Sequence, residues 1–527
     1  MTDQALRRLA LRTLLASFPG HSLPGWAREL LHDGLAGYVL FGYNIAVGRD
    51  GSGGSGPPGA RADTQQLGGL VSQIRAARPD AIVGIDEEGG DVTRLAHAEG
   101  SCYPGNAALG VVDDPSLTLR VYRAIGAELR ALGINLNLAP TVDVNTSDDN
   151  PIIGTRSFGV DPQLVARHAA AAVAGLQETG VAACAKHFPG HGATVVDSHA
   201  ELPTVDEPLS LLRERELPPF AAAVEAGALA VMTAHIRVPE LTGEVPATLS
   251  EAALTGLLRG ELGFGGAIVT DALEMRGASA AVGIPEAAVR ALAAGADLLC
   301  IGARVDAPLV EATAAAIADA ARDGRLAVHR LEEAAARAAG LAARAAPDSA
   351  PREPGREDTT RDRAAVGRGS GPATLENGAG IGLTAARRAL RVEGDLPKLR
   401  KPLLVQIDSP ATIAAGELPW GIARYLVNGS GAYDTGAELV RLAPGDDTSK
   451  LVATAGDRQI LVVSRDTHRH RYARGLVEQL AARSPEVVLV EMGWPAAWRP
   501  AGLRAYVATY GASQANARAA AEALIAG

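Results

Sequence analysis

Short apolar runs alternate with alanine-rich segments of helical periodicity over residues 1–346. Strand-length runs separated by helices are typical of a parallel sheet wound by helices. Seven such runs can be recognised, and they end at Phe41, Asp86, Ala139, Ala185, Ala234, Thr270 and Gly302. They predict an α/β domain built as a (β/α)8 TIM-like barrel, in which an eighth, short or irregular strand lies near Ala280. An open doubly wound sheet is the alternative.

Polar residues follow nearly every run, and their distribution favours the barrel. Barrel active sites collect at the carboxyl ends of many strands, whereas a dinucleotide-binding sheet needs one glycine-rich turn followed by an acidic residue. We find no such turn in the right context. The polar residues at the strand ends are Asn44, Asp86, Glu87, Glu88, Asp143, Asn145, Lys186, His187, His235 and Asp271.

The composition changes twice along the chain. Residues 47–63 are rich in Gly, Ser and Pro and predict a flexible loop or lid, to which we assign no chemistry. Residues 347–379 combine Pro, Gly, Ser and mixed charge, which predicts an interdomain linker. Residues 380–527 then carry four strand-like runs between helical patterns. They predict a smaller α/β sandwich domain without a catalytic cluster.

The overall charge indicates a small-molecule partner. The 527 residues carry a formal net charge of −10, whereas nucleic acids and anionic membranes are bound by basic surfaces. No apolar run reaches the roughly 18 residues of a membrane span. The stretch MTDQALRRLALRTLLASFPG lacks the long apolar core and the cleavage site of a secretion signal. We therefore expect a cytoplasmic protein that binds neither nucleic acid nor membrane; the oligomeric state is left open.

The cysteines predict neither a disulfide framework nor a structural metal. Cys102, Cys184 and Cys300 are widely spaced and form no CxxC motif. We expect buried free thiols, and no metal or cofactor.

The segment at residues 186–203, KHFPGHGATVVDSHAELP, contains three of the chain's 11 histidines. Pro189 and Gly190 separate His187 from His191, so these two histidines cannot form an i, i+4 pair on a regular helix, which weakens a zinc-site interpretation. The apolar run before Lys186 predicts a buried strand, with the histidines on the loop that leaves its carboxyl end. Loops in this position commonly carry chemistry.

Lys186 is unusual because the chain uses Arg for nearly all its positive charge. The other three lysines, Lys398, Lys401 and Lys450, lie outside the predicted barrel. A compact ammonium in an arginine-rich chain indicates a hydrogen-bonding role that a planar guanidinium would fill badly.

Five stretches resemble glycoside hydrolase family 3, and most of all its bacterial β-N-acetylglucosaminidase branch. They are IDEEGGDVTRL at 85–95, NLAPTVDVN at 137–145, NPIIGTRSFG at 150–159, KHFPGHGATVVDSHAELP at 186–203 and GAIVTDALEM at 266–275. The second domain resembles, more weakly, the α/β sandwich that many members append. The resemblance implies a retaining exo-acting enzyme with Asp271 as nucleophile and His199, held by Asp197, as acid/base.

The residues themselves support these roles, and each role has an alternative. Asp271 follows a buried strand and is placed to point into the site, although Asp is also a preferred helix N-cap residue. The imidazole of His199 has an unperturbed pKa near 6.5, which suits proton transfer, and a neighbouring carboxylate fixes its orientation. The alternatives are a surface-loop histidine for His199 and a turn residue for Asp197.

The resemblance further implies sugar contacts by Lys186 and His187, and Asp86 and Arg156 match further sugar-contacting positions. The alternative for Asp86 and Arg156 is a structural ion pair. Arg94 and His235 are weaker candidates for substrate binding, and the alternative for each is a hydrogen bond to a loop backbone. Asp143 is expected either to orient Lys186 or Arg156 or to contact the substrate, and His191 is expected to shape its loop.

One departure from the family pattern concerns Glu87 and Asp91, which stand where the resembled motif more often has Gln and Arg. With Glu88 they predict an acidic rim, which disfavours anionic aglycones and phosphate. Three functions stay open. The first is an exo-β-N-acetylglucosaminidase acting on cell-wall or chitin-derived fragments. The second is a phosphorylase that uses the same catalytic residues with phosphate as the acceptor, and the third is a sugar-binding module without catalysis. Hydrolysis ranks first.

Overall fold

The computed structural model describes residues 1–48, 61–196, 201–345, 378–427, 435–454 and 458–527. Most of the predicted loop at 47–63 and of the predicted linker at 347–379 lies outside these ranges. Asp197 and His199 also lie outside them. Residues 378 and 379 already belong to a helix.

Eight parallel strands form one sheet that closes into a barrel, as predicted. The sheet order is β8-β1-β2-β3-β4-β5-β6-β7, and a parallel bridge between Val269 and Leu298 joins its two ends. The strands are Leu14–Ala16 (β1), Gly37–Leu40 (β2), Ile82–Ile85 (β3), Leu136–Asn137 (β4), Ala182–Phe188 (β5), Ala230–Thr233 (β6), Ala267–Thr270 (β7) and Leu299–Cys300 (β8).

Two details of the predicted barrel are wrong. The missing strand is Leu14–Ala16, not a segment near Ala280, where residues Arg276–Ser279 form a helix. In addition, Lys186 and His187 belong to β5 itself rather than to the loop after it. A short antiparallel hairpin, Val47–Gly48 with Arg61–Ala62, lies outside the barrel.

Helices surround the barrel strands. They are Asp3–Leu11 (α1), Gly25–Asp33 (α2), Thr64–Ala77 (α3), Asn106–Val112 (α4), Pro115–Ala131 (α5), Pro162–Gln177 (α6), Leu209–Arg215 (α7), Leu217–Glu225 (α8), Pro239–Thr242 (α9), Arg276–Ser279 (α10), Ile284–Ala294 (α11), Ala307–Arg322 (α12) and Val328–Arg344 (α13). A π-helix spans Ala252–Glu261, and short 3₁₀ turns span Gly42–Asn44, Gly154–Arg156 and Ala247–Leu249.

Successive strand residues face opposite sides of the barrel wall, as the period of two requires. Val39 and Cys184 belong to an inner cluster of small and medium side chains, whereas Leu40 and Ala183 pack outward against the helices. Leu341 of α13 joins the inner cluster together with Ala36 and Ile82, which lie where strands begin. The amino-terminal end of the barrel is therefore filled by a helix, which leaves the carboxyl end for a site.

The second unit is a six-stranded sheet between helices. Its order is β9-β14-β13-β12-β10-β11, parallel except for the edge strand β9. The strands are Arg391–Gly394 (β9), Leu403–Ile407 (β10), Glu438–Leu442 (β11), Ile460–Ser464 (β12), Val487–Glu491 (β13) and Ala505–Ala508 (β14). The helices are Gly378–Ala389 (α14), Ala423–Leu426 (α15), Ser449–Thr454 (α16), Arg471–Arg483 (α17) and Gln514–Ala526 (α18), and a 3₁₀ turn spans Thr467–Arg469.

This sheet packs on the barrel loops that follow β3 and β4. Asp91, in the loop after β3, accepts hydrogen bonds from the Ala512 N–H at 2.9 Å and from Arg465 at 3.2 Å. After β4, Asp148 accepts from the Trp494 indole N–H at 2.9 Å. The second unit is thus docked beside the carboxyl end of the barrel. No helix in the described ranges is long and apolar enough to cross a membrane.

Candidate active site

A cavity of about 420 Å³ opens at the carboxyl ends of the barrel strands. Its volume is within the range of small-molecule sites. Most predicted site residues that the structure describes line this cavity. The polar lining residues are Tyr43, Asp86, Glu88, Thr93, Arg94, His97, Arg156, Lys186, His187, His191, Asp271, Glu274 and Glu417.

Asp271 follows β7 directly, and its partly exposed side chain lines the cavity. Its backbone N–H donates to Thr233 O at 3.3 Å, and its Oδ1 accepts from the Ala272 N–H at 2.8 Å. The next helix begins only at Arg276, with Met275 as its N-cap residue. Asp271 is therefore not a helix cap, and its carboxylate is fixed at the cavity wall.

Lys186 is the centre of a buried charge network. Its ammonium Nζ lies 2.8 Å from Asp86 Oδ1 and 2.8 Å from Glu88 Oε1. Burial alone would lower the pKa of Lys186, but the two carboxylates outweigh it and raise that pKa above its usual range. Lys186 is therefore permanently charged, which agrees with the hydrogen-bonding role inferred from its rarity.

Arg156 makes a bidentate pair with Glu88. Nε and Nη2 donate to the two carboxylate oxygens of Glu88 at 3.0 and 2.8 Å, and Nη1 donates to Ile152 O at 3.0 Å. Burial by itself raises the pKa of Glu88, but the Arg156 and Lys186 charges more than reverse this and hold it well below its usual range. The predicted alternative, an ion pair between Asp86 and Arg156, is wrong in its partners, because Asp86 pairs with Lys186.

His187 is held in one tautomer by its two neighbours. Its Nδ1 lies 2.7 Å from Asp143 Oδ2, and Arg156 Nη2 lies 3.3 Å from its Nε2. Because Asp143 can only accept and Arg156 can only donate, Nδ1 carries the proton and Nε2 accepts. Asp143 therefore orients His187, rather than Lys186 or Arg156 as predicted.

Asp143 also fixes the start of the histidine-rich loop. Its Oδ1 accepts from the backbone N–H groups of His187 at 3.1 Å and His191 at 2.7 Å. The His191 ring lines the cavity, and burial lowers the pKa of His191 to about 4, so this ring is neutral at physiological pH. His191 shapes its loop through Nδ1, which lies 2.7 Å from Thr194 Oγ1.

The two weaker candidates have different surroundings. Arg94 lines the cavity, donates to Ala414 O of the second unit at 2.9 Å, and lies 3.9 Å from Asp86 Oδ2. His235 is buried outside the cavity lining, with Nδ1 2.8 Å from Thr248 Oγ1 and Nε2 3.0 Å from Ala272 O. His235 therefore supports the backbone beside Asp271. Because it lies outside the cavity lining, its position does not provide the expected sugar contact.

The predicted acidic rim is wrong for two of its three members. Glu87 is buried and accepts hydrogen bonds from Thr93 Oγ1 and from the Arg94 and Leu95 N–H groups through Oε2. Burial raises the pKa of Glu87 to about 7. Asp91 is directed to the second unit, as described above. In an extended chain successive side chains point to opposite sides, so Asp86 and Glu88 lie on one side and Glu87 on the other. This alternation could have separated Glu87 from the cavity-lining carboxylates.

Sequence reasoning missed the contribution of the second unit. Residues 413–418 line the cavity opposite the barrel, and they include the exposed side chains of Ile413 and Glu417. Tyr43, His97 and Glu274 of the barrel also line the cavity and were not singled out. Nothing in the local sequence marks residues 413–418, because they reach the cavity only when the second unit docks on the barrel. The position of Tyr43 in the short turn after β2, next to Asn44, was a usable signal.

The structure gives no candidate metal centre within the residues that it describes. Among these residues, no group of three or more His, Cys, Asp or Glu side chains is arranged to hold a metal ion. Asp86 is ion-paired with Lys186, and Glu88 is ion-paired with both Lys186 and Arg156. Cys184 and Cys300 are buried free thiols, and Cys102 is a partly buried one.

Replacing Lys186 by Met is expected to destabilise the protein, because Asp86 and Glu88 then lose their shared cation. Removing one partner of a buried pair costs about 3–5 kcal/mol, and we expect about 3 kcal/mol since Arg156 still bonds Glu88. The measurement is the urea midpoint. Lys398→Met, which removes an exposed ammonium, is the matched control and should leave the midpoint unchanged. Equal midpoints for the two variants would contradict the network's structural role.

Comparisons with known proteins agree with this geometry. The family model described as "Glycosyl hydrolase family 3 N terminal domain" matches residues 28–341. The beta-hexosaminidase A of Pseudoalteromonas piscicida is 37% identical over 304 residues, which are 53% of this chain and 51% of that protein. The beta-hexosaminidase of Stenotrophomonas maltophilia strain K279a is 36% identical over 296 residues, covering 55% of this chain and 82% of that protein. The chain thus spans about half the length of the first relative.

A solved structure resembles both units of the chain. The glycoside hydrolase family 3 beta-N-acetylglucosaminidase from Paenibacillus sp. str. FPU-7 matches with a TM-score of 0.82 and 31% identity. The match covers 99% of this chain and 96% of that chain. The shared architecture therefore includes the second sheet as well as the barrel.

Proposed function

Because the chain belongs to glycosyl hydrolase family 3, as its motifs predicted, we propose that it is a retaining exo-β-N-acetylglucosaminidase. Its substrates would be cell-wall or chitin-derived fragments that end in N-acetylglucosamine. One observation carries the proposal. The Asp271 carboxylate, at the end of β7, shares a cavity with the polar network of Asp86, Lys186 and Arg156.

In the proposed first step, Asp271 attacks the anomeric carbon and the bond to the leaving group breaks. His199 donates a proton to the departing oxygen, and Asp197 supports the imidazolium that precedes the transfer. In the second step, His199 takes a proton from water as the oxygen of that water displaces the Asp271 carboxylate. Two displacements at one carbon retain the β configuration. The roles of Asp197 and His199 rest on their motif, since both residues lie outside the described ranges.

The buried network is suited to holding the terminal sugar. Asp86 and Glu88 accept two of the three Lys186 protons, so the third can be donated to a sugar hydroxyl. Asp86 is partly exposed and has a second carboxylate oxygen that can accept from a hydroxyl. Because Glu88 and Asp143 fix Arg156 and His187 beforehand, little side-chain freedom is lost when the sugar binds.

Other carboxylates in the cavity are less suited to attack. Glu88 is committed to Arg156 and Lys186, and Asp86 lies against Lys186. The oxygens of Glu274 accept from the backbone N–H groups of Ala303 at 2.6 Å and Arg304 at 3.3 Å. Asp86 and Asp271 both follow a barrel strand directly, where barrel enzymes place catalytic groups, and of the two it is Asp86 that is ion-paired with Lys186.

Water is favoured over phosphate as the acceptor by the charge of the cavity lining. Five carboxylates line the cavity, against the three cations Arg94, Arg156 and Lys186. The lining is therefore negative overall, although Glu87 and Asp91 contribute nothing to it. A dianionic acceptor would meet like charges in a partly desolvated space, where screening is weak.

The proposal is tested by product analysis with a nitrophenyl N-acetylglucosaminide at millimolar phosphate. We expect free N-acetylglucosamine, released first as the β-anomer, at a rate that phosphate does not raise. Proton NMR during the first turnovers measures the anomer. A sugar 1-phosphate as main product, with a phosphate-dependent rate, would establish a phosphorylase instead. Binding of the glycoside without turnover would leave only a sugar-binding module.

A further inference from the structure

The mouth of the cavity has apolar walls that the terminal sugar and its network do not use. Tyr43 is 40% exposed and Ile413 is 64% exposed, and both line the cavity. Tyr43 belongs to the barrel and Ile413 to the second unit. Exposed apolar side chains that converge on one cavity indicate a binding surface rather than incidental exposure.

The barrel wall of this mouth is a preorganised aromatic platform. The rings of Phe41 and Tyr43 stack with centroids 5.4 Å apart and planes inclined by 18°. The Tyr43 hydroxyl donates to Ala303 O, beyond β8. Asn44 fixes the turn, since its Oδ1 accepts from the Phe41 N–H at 2.9 Å and its Nδ2 donates to Phe18 O at 2.7 Å. A flat, rigid ring of this kind suits the C–H face of a pyranose, at little entropic cost.

The opposite wall, residues 413–418, is anchored to the barrel. The barrel residue Arg94 donates to Ala414 O at 2.9 Å, and within the second unit the Gly416 N–H donates to Thr412 O at 2.8 Å. Farther back, the Arg465 guanidinium lies 5.7 Å from the Trp420 ring centroid and also pairs with Asp91. The wall is therefore held in place by the same contacts that dock the second unit.

The charge at this mouth is negative. The side chain of Glu417 is exposed on the second-unit wall. Glu274 lies on the barrel side, and Arg94 is a cation of the cavity lining that contacts this wall, with one of its nitrogens bonded to Ala414 O. An uncharged ligand pays no electrostatic penalty here, whereas a carboxylate-bearing ligand is repelled.

We propose that the mouth is a subsite for the aglycone sugar, in which the Phe41–Tyr43 stack supports one face of an uncharged pyranose. Residues 413–418 form the other wall, and Glu417 discriminates against a sugar that bears a carboxylate. This inference rests on the proposed function and narrows it. Chitin-type disaccharides, with N-acetylglucosamine as the second ring, are preferred to disaccharides whose second ring carries a lactyl ether carboxylate.

The test compares kcat/KM for these two disaccharides, N-acetylglucosaminyl-N-acetylglucosamine and N-acetylglucosaminyl-N-acetylmuramic acid. At low ionic strength we expect a preference of about tenfold for the neutral substrate, which shrinks as salt is added. Glu417→Gln should reduce that preference by about threefold, chiefly by improving the carboxylate-bearing substrate. Glu478→Gln, which removes an exposed carboxylate from α17 of the same unit, should leave the preference unchanged.

Tyr43→Ala separates the contribution of the aromatic platform to kcat/KM from that of the Glu417 charge. It should lower kcat/KM by about fivefold for both disaccharides and leave their ratio unaltered, since the ring is neutral. Equal turnover of the two disaccharides by the parent protein would overturn the proposal. A salt-independent preference, or one that Glu417→Gln leaves intact, would remove Glu417 from the discriminating role.

A binding measurement tests the aglycone subsite separately from the proposed hydrolysis. Titrating both disaccharides into the Asp271→Asn protein gives the same comparison without turnover. Preferential binding of the neutral disaccharide supports the subsite even if the parent protein fails to hydrolyse aryl glycosides. Equal binding of the two disaccharides overturns the subsite even if hydrolysis is established.

Discussion

Asp271→Asn is expected to lower kcat/KM for a nitrophenyl N-acetylglucosaminide by about 10⁴-fold or more, because the amide cannot form the glycosyl ester. The fold should be unaffected. Asn has the same shape as Asp, and its carbonyl can still accept from the Ala272 N–H, which bonds Asp271 Oδ1 at 2.8 Å. Steady-state kinetics and circular dichroism on the same preparation separate lost chemistry from lost structure.

The thermal midpoint of this variant should be unchanged or slightly higher. The cavity lining has an excess of carboxylates over cations, so removing one negative charge relieves repulsion. Glu274→Gln is the matched control, since it makes the same change three residues later in a side chain whose oxygens accept from Ala303 and Arg304. It should cost at most about tenfold in kcat/KM. A mechanism-based fluoro-sugar that labelled another carboxylate would falsify the nucleophile assignment.

Seven of the eight barrel strands were readable because each buried run is bounded by a clear change of pattern. The first strand, Leu14–Ala16, was not, because it follows the apolar face of helix α1 after only Arg12 and Thr13. Three apolar residues in that position continue a helical pattern as well as they begin a strand. Only pairing with β2 and β8 distinguishes the two.

The buried network was predictable in its members but not in its pairing. The rarity of lysine marked Lys186, a strand end marked Asp86, and the family resemblance marked Arg156. Which carboxylate meets which cation depends on loop paths. The 3₁₀ turn Gly154–Arg156 brings Arg156 to Glu88, which is 68 positions away in sequence. Asp143 likewise reaches His187 across 44 positions.

The cavity wall from the second unit could not be predicted from local sequence. The contact from Arg94 to Ala414 joins residues 320 positions apart. Residues 413–418 have no motif, and they acquire a role only when the second sheet docks on the loops after β3 and β4. A search for catalytic clusters within residues 380–527 therefore overlooked them, because their contribution is shape and charge rather than chemistry.

His199→Ala should impair substrates in proportion to how much their leaving groups need a proton. A nitrophenolate departs with little assistance, whereas the alkoxide of a sugar is a poor leaving group. General acid catalysis is worth about 10² to 10⁴ in rate, so the disaccharide should lose that much in kcat/KM while the aryl glycoside loses far less. The measurement is the ratio of the two kcat/KM values in variant and parent.

A matched control comes from His187, whose ring lies against Asp143 and Arg156 in the cavity lining. In the proposed function His187 contacts the terminal sugar, which both substrates share, so the loss in kcat/KM for His187→Ala should be the same for the aryl glycoside and the disaccharide. The diagnostic result is therefore that His199→Ala changes the ratio of kcat/KM for the two substrates, whereas His187→Ala leaves that ratio unchanged. Equal losses on both substrates for His199→Ala would assign that histidine to sugar binding and leave the proton donor to be sought elsewhere.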